Sequence, residues 1–302
     1  MRVFLTGATG YIGAAVLDGF VRAGHHVTGL VRNSEKAAEV AARGATPLLG
    51  DLHDPLSYSA AAAAADVLVH AAFDGTRGVE GDRLAIETLA SAARSAPPAH
   101  PRLFIYTSGI WILGPAPDPV TEDSPINPAA IAAYRPGHEQ MVLAAASSSL
   151  RSIVVRPGIV YGGSRGIVGD IFRDAMNGLV RVIGSGDNRW PTVYDRDLAD
   201  LYLRLAQHDG ASGIFHATDD SDDRVNDIVE AIAVHAPAPP TVRRIPVDEA
   251  KTKLGNYAVA LALDQVVRSP RARAIGWHPS LRSVARSAAR LFEEWRNGIA
   301  AS

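Results

Sequence analysis

The chain has 302 residues, 47% of them hydrophobic and 21% charged, with a formal net charge of −2. That length holds one large α/β domain, or one plus a smaller lobe, and the composition is that of a soluble globular protein. With no cysteine in the chain, disulfides, thiolate metal sites and cysteine nucleophiles are excluded, and the scattered Lys and Arg offer no basic face to nucleic acid or an anionic membrane.

Residues 1–13 read MRVFLTGATGYIG. Val3, Phe4 and Leu5 are the apolar run of a strand buried on both faces. Gly7, Gly10 and Gly13 follow at G-x-x-G-x-x-G spacing and lead into a helix near Tyr11. One glycine permits the sharp turn, one lets the backbone approach a diphosphate, and one lets the helix pack closely on its strand. The N–H groups of that helix start point at an anion over Ala8 to Ile12. Gly7, Thr9, Gly10, Tyr11, Ile12 and Gly13 are the cofactor-binding residues this predicts.

The helix carries Ile12, Val16, Phe20 and Val21 on one face, and Gly24 stops it. Residues 26–31 form a second strand. In a Rossmann unit an acid about 20 residues past the glycines binds the ribose 2′-OH, whereas an arginine accommodates a 2′-phosphate. Here Val31 is followed by Arg32, Asn33 and Ser34, which favours NADP, with NAD second. The competing reading makes Arg32 a solvated charge and Ser34 the cap of a helix over 35–42.

A third strand lies within 44–50, ahead of Asp51 and Leu52, and Asp54 is placed to cap a helix through the alanine run. Residues 67–70 are a fourth strand leading into Ala71, Ala72 and Phe73. The apolar stretch 59–73 is interrupted by Asp66 and His70 and is too short to span a bilayer. The start on a strand leaves no room for a signal peptide. A helix over 82–93, a Pro-rich loop at 97–101 and a fifth strand over 103–107 come next, then Ser108, Gly109, Ile110 and Trp111. A loop rich in Pro and Asp reaches Pro128, and a helix starts near Pro136. Residues 152–155 are a sixth strand and 214–217 a seventh. This alternation predicts an α/β fold with a doubly wound parallel Rossmann sheet of about seven strands.

Past Gly162 the pattern changes to a glycine-rich stretch with a helix over 167–176 and a strand over 180–183. Helices follow over 195–207, over 225–233, and at the C-terminus through Leu281, Val284, Ala288, Leu291, Phe292 and Trp295. In the acidic turn 219–223, Asp223 is placed as a helix cap. The division expected is a dinucleotide-binding domain over 1–162, rejoined by about 193–220, and a smaller C-terminal substrate lobe from 163–192 and 221–302.

TGATGYIG at 6–13, GDL at 50–52, HAA at 70–72, RPGIVYG at 156–162, VYDRDLA at 193–199 and the GW-P pattern at 276–279 carry a resemblance over nearly the whole chain. On them the chain resembles the extended branch of the short-chain dehydrogenase/reductase superfamily, the epimerase/dehydratase-like proteins. The resemblance implies an NAD(P) site that also uses Asp51, Leu52, Ala71, Ala72, Phe73, Thr107, Pro157 and Val160. It implies an active site of Ser or Thr, Tyr and Lys, with an Asn nearby. There the Tyr exchanges a proton with a substrate hydroxyl or carbonyl, the Lys lowers the Tyr pKa, and the Ser bonds the substrate oxygen. Hydride passes to or from the nicotinamide ring.

The chain departs from that pattern at each place. Asp82 stands for the Asn; Gly109 falls at the serine position, with Ser108 one residue early. Tyr134 and His138 have the Y-x-x-x-K spacing with His for Lys. A second register, aligned on Glu139 to Leu143, puts Ile131 and Arg135 at the Tyr and Lys positions, and Pro136 disfavours helix at Arg135. The candidate catalytic set is therefore Tyr134, Ser108, His138, Asp82 and Arg135.

Substrate candidates are Trp111, Tyr161, Arg165, Phe172, Arg189, Trp190 and Tyr194, with Asp170, Arg173 and Asn188 nearby. The arginines suit a nucleotide-sugar diphosphate and the tryptophans a flatter apolar pocket. The function expected is an NADP-dependent oxidoreductase acting on a carbonyl or alcohol. The alternatives are a nucleotide-sugar epimerase or dehydratase and a non-catalytic NADP(H)-binding regulator. The expected setting is cytoplasmic, with a small-molecule substrate, no metal, no nucleic-acid or membrane partner, and a homodimer left open.

Overall fold

In the computed structural model, which describes residues 1–73, 78–95, 97 and 100–300, the apolar runs become the strands of one sheet. Pro98 and Ala99 of the expected Pro-rich loop lie outside the described residues. The strands are β1 (Arg2–Thr6), β2 (His26–Val31), β3 (Thr46–Leu49), β4 (Val67–His70), β5 (Arg102–Thr107), β6 (Leu150–Pro157) and β7 (Gly213–Ala217). Their order is β7-β6-β5-β4-β1-β2-β3. β1 pairs in parallel with β2 and β4, β2 with β3, β4 with β5, and β5 with β6. The chain direction across the sheet reverses between β1 and β4, and it is outside the carboxyl ends at such a switch point that ligands bind.

The register stacks one face of the sheet. Phe4 is opposite Leu68 and Leu68 opposite Phe104, and all three are fully buried with Ile86, Leu89 and Val142. Each large apolar side chain removed from water in this way contributes about 1.5–3 kcal/mol. The helices are α1 (Tyr11–Arg22), α2 (Ser34–Ala42), α3 (Ser59–Ala63), α4 (Gly78–Arg94), α5 (Arg135–Ala144) and α6 (Asp195–Gln207).

Three expected caps are not made as predicted. Asn33, not Ser34, caps α2, its Oδ1 accepting from Lys36 N at 2.9 Å. Asp54 makes no side-chain cap, because a 3₁₀ turn over Pro55–Ser57 delays α3 to Ser59. Asp223 caps no helix; its carboxylate accepts instead from Ser283 Oγ and Ala285 N. These last bonds hold a turn, so the C-terminal helix runs Ala288–Ala300 instead of starting near Leu281.

The chain divides into two compact units, one of residues 1–108, 134–156 and 198–215, the other of 109–133, 157–197 and 216–302. Residues 109–133 and 157–162, expected in the dinucleotide domain, thus belong to the second unit, as do 193–197 and 216–220. The reason is pairing between distant segments. Strand Ala116–Val120 pairs with Gln265–Val267, and Ile159–Tyr161 with Thr192–Tyr194. The second unit has its own core, in which Phe172, Ile228, Ile232, Leu291 and Trp295 pack together.

Candidate active site

The glycine turn of the first unit is a cradle with no room for side chains. Gly7 has φ +72, and a Cβ there would lie 2.7 Å from the backbone of Ala71 and Ala72. A Cβ on Gly13 would lie 2.0 Å from Gly7 O. Gly10 N–H donates to Gly7 O at 2.8 Å, which closes the turn. Gly10 is also the extended N-cap residue of α1, with no side-chain cap and no acidic residue in the first turn. The first-turn N–H groups of α1 and the positive end of its dipole therefore face the turn, an arrangement that fits an anion. These residues fit the diphosphate of a dinucleotide, whose nicotinamide ring, when bound, donates or accepts hydride.

Arg32, Asp51, Leu52, Ala71, Ala72, Phe73 and Thr107 lie at or past strand ends of the first unit. Arg32 is exposed just past β2. Asp51 Oδ1 accepts from His53 N at 2.9 Å, and Asp51 N donates to Ser57 Oγ at 3.1 Å, so the turn after β3, with half-buried Leu52, is held in place. Thr107 Oγ1 lies 2.7 Å from Tyr202 OH. Pro157 and Val160 fall in the second unit, both buried.

The residues of the two catalytic registers sit in different local structures. Tyr134 is the N-cap of α5 with helical φ −78 and ψ −25, and Pro136 is tolerated because it sits in the first turn. Tyr134 and His138 are thus one helical turn apart, their ring centroids 5.2 Å apart and edge-on. Tyr134 stacks on Phe73 at 5.6 Å. The Arg135 guanidinium lies 5.3 Å from the Tyr134 ring centroid, and its Nη1 donates to Thr107 O at 3.3 Å. Ile131 sits in a single 3₁₀ turn, Ala130–Ala132, in the second unit and carries no proton-transferring group. Burial raises the Tyr134 phenol pKa, a rise opposed by Arg135 and aided by the Asp82 charge.

Behind Tyr134 lies a buried polar cluster centred on Asp82. Its Oδ1 is 2.9 Å from His70 Nε2, and its Oδ2 is 2.7 Å from Tyr106 OH and 2.6 Å from His138 Nδ1. His70 Nδ1 in turn lies 2.6 Å from Thr6 Oγ1. Burial alone would raise the Asp82 pKa, but the hydrogen bonds from His138 and His70 hold it well below the usual carboxylate range. Thr6, His70 and Tyr106 were not among the sequence candidates. Their signal was a His ending the fully buried strand VLVH, opposite Tyr106 in the register; a buried polar side chain needs a partner.

The Ser108 side chain is engaged within the protein. Its hydroxyl donates to Glu139 Oε1 at 2.5 Å, and Glu139 pairs with Arg156 through Nε at 2.9 Å and Nη2 at 2.6 Å, all three residues buried. The hydroxyl proton is engaged by a buried ion pair.

In the second unit several substrate candidates are held by contacts within the protein. Phe172 is core, ringed by Phe292 and Trp295. Arg189 makes a two-point ion pair with Asp264 and donates to Pro117 O. Tyr194 is buried and donates to Glu294, and Tyr161 is fully buried beside it. Asn188 holds the carbonyls of Leu261 and Leu263, and Arg173 pairs with Asp170. Arg165 is the N-cap residue of the helix Gly166–Met176.

Trp190 does line an open space. It forms part of a cavity of about 360 Å³ with apolar walls that include Ile171, Val182, Val225, Val229 and Leu261. Arg181, Arg243 and Lys253 are among its lining residues, as is Tyr257, which meets the edge of Trp111. The contributions from 243–261 were not read from sequence, where no periodic signal marks them. Among the described residues no group of three His, Asp or Glu side chains is arranged to hold a metal ion, and no helix is long and apolar enough to cross a membrane.

Comparison with known proteins agrees with this architecture. An uncharacterised protein of Schizosaccharomyces pombe is 30% identical over 289 residues, covering 93% of this chain and 95% of the relative. The 2-alkyl-3-oxoalkanoate reductase of Stenotrophomonas maltophilia is 30% identical over 210 residues, covering 64% of this chain and 62% of that enzyme. The human epimerase family protein SDR39U1, solved with NADPH, shares the fold with a TM-score of 0.77 at 22% identity, over 97% of this chain and 99% of that one. The model of the NAD dependent epimerase/dehydratase family matches residues 3–217. The chain belongs to the NAD dependent epimerase/dehydratase family.

Proposed function

We propose that this protein is a cytoplasmic NADP-dependent reductase of small ketones with apolar chains, with Tyr134 as the proton donor. The observation that carries the reading is the Phe73–Tyr134 stack. Phe73 directly follows Ala71 and Ala72, whose backbone walls Gly7, so the stack holds the phenol at the same strand end as the cofactor cradle. There Tyr134 gives its proton to the carbonyl oxygen while the carbonyl carbon takes up hydride. Arg32, past β2 where an acid would select NAD, supports NADP, and the NADPH bound to the human relative agrees with that choice.

The apolar cavity of the second unit supports the substrate class, and the name of the Stenotrophomonas relative points the same way. Lys253 in its lining suits a carboxylate on such a ketone, whereas Arg243 there pairs with Glu249. Two of the three arginines expected to grip a nucleotide-sugar diphosphate, Arg173 and Arg189, are instead engaged by Asp170 and Asp264, which weakens the epimerase alternative. NADPH consumption at 340 nm with a panel of 2-alkyl-3-oxo acids and their esters tests the reading. Steady turnover is expected; tight NADPH binding with no turnover across the panel would leave the non-catalytic reading standing.

A further inference from the structure

We infer that Asp82 and His138 form a proton relay behind Tyr134, in which Asp82 fixes the imidazole tautomer so that His138 Nε2 exchanges the proton of the phenol. The inference rests on the reductase reading above. Asp82 is a buried carboxylate, its side chain 3% exposed, and it accepts at three points: His70 Nε2, Tyr106 OH and His138 Nδ1. An ionised carboxylate has no hydrogen to give, so each partner must present one. His138 therefore carries its proton on Nδ1, and in the neutral ring Nε2 is left with a lone pair.

The carboxylate is itself braced. His70, with 0% side-chain exposure, spans Asp82 Oδ1 and Thr6 Oγ1, which sets Asp82 against β1 and β4. His138 is one turn past Tyr134 on the same helix, its ring edge-on to the phenol ring. The ionisable groups that face this pair are Asp82 and Glu80 from α4, Tyr106 from β5 and Arg135 from α5.

The proton count closes in both directions. When an alcohol is oxidised, its hydroxyl proton passes to Tyr134 as the phenol proton passes to His138 Nε2, and the resulting imidazolium releases a proton to water. In reduction the imidazolium gives its Nε2 proton to Tyr134 as Tyr134 protonates the carbonyl oxygen. Asp82 stays ionised throughout, and with His70 acts as a positioning residue.

Long-range ¹H–¹⁵N correlation on the full chain with ¹⁵N-labelled histidine reads the tautomer directly. Neutral His138 is expected as the Nδ1–H form; the Nε2–H form overturns the relay. Kinetics give a second reading. His138→Ala is expected to lower kcat about 100-fold with KM nearly unchanged, and free imidazole to restore about tenfold of it, as befits a lost acid–base group. A folded His138→Ala protein with near-normal kcat, or one that imidazole does not rescue, overturns the relay. Absence of turnover in the unaltered protein would instead overturn the reductase reading and the relay with it, whereas turnover with the Nε2–H tautomer would overturn the relay alone.

Discussion

Phe73 and Tyr134 stack with ring centroids 5.6 Å apart and planes 19° apart, joining the segment after β4 to the first turn of α5. The contact holds the ring, not the hydroxyl, so the two are separable by substitution. Tyr134→Phe keeps the stack and removes the proton. It is expected to lower kcat by about 10²–10⁴-fold, the range for a positioned acid–base group, with NADPH affinity unchanged by fluorescence titration. Equal kcat in the two proteins would remove Tyr134 from the chemistry.

Gly13 tests the cradle. A methyl group there would sit 2.0 Å from Gly7 O, so the turn or α1 must move. Gly13→Ala is expected to cost about 1–3 kcal/mol of stability, as overpacking does, and to weaken dinucleotide binding at least about tenfold. Thermal melts with and without NADPH check both, the ligand-induced rise in Tm being the quantity that should shrink.

Arg32 tests cofactor choice. Arg32→Asp replaces the 2′-phosphate partner with an acceptor for a 2′-hydroxyl. The ratio of kcat/KM for NADPH over NADH should fall by about tenfold or more. An unchanged ratio would return Arg32 to the role of a solvated charge.

Ser108 and Glu139 should separate stability from chemistry. Ser108→Ala removes one hydrogen bond from a buried carboxylate that keeps its arginine, so a loss of about 1–3 kcal/mol is expected, with kcat within about threefold. Glu139→Ala strands Arg156 without its partner, and the cost rises to about 3–5 kcal/mol. Chemical denaturation of the two variants gives the comparison; a large fall in kcat for Ser108→Ala would restore the serine to the active site.

Acid carboxylates make opposing contributions to stability. Burial raises Asp195 and Asp219 from 3.8 to about 6. Between about pH 4 and about 6 the native chain therefore keeps protons that the unfolded chain has released, and their contribution declines as pH rises through that window. Asp82 has the other sign: burial raises it, but His138 and His70 hold it low, so its contribution is present above about pH 4 and is lost on further acidification. Asp219→Asn should flatten the decline in Tm between pH 4 and 6 while leaving the acid limb in place. A melt series at constant ionic strength shows whether it does.

Much of the first unit was legible because its strands are short apolar runs bounded by glycine and polar residues, as in VFL before Gly7 and VLVH before Ala71. The glycine cradle was legible for the same reason, since spacing alone demands the turn. Strand Ala116–Val120 was not, because APDPV carries two prolines and pairs with residues about 150 positions later. The structural duties of Arg189 and Tyr194 were equally hidden, since their partners Asp264 and Glu294 lie 75 and 100 residues away. Asp82 was found by its place in a motif, but the histidines that hold it come from two other elements. A tertiary constellation of that kind has no period in the sequence to reveal it.

The chain passes between its two units after residues 108, 133, 156, 197 and 215. A protein made from the N-terminus on a ribosome therefore completes neither unit early. The sheet lacks its edge strand β7 until residue 217 has emerged, and the second unit lacks Gln265–Val267, the partner of Ala116–Val120, for longer still. Nascent chains of this protein must carry unpaired strand edges through most of their synthesis, a period in which chaperones that shield such edges have the most to protect.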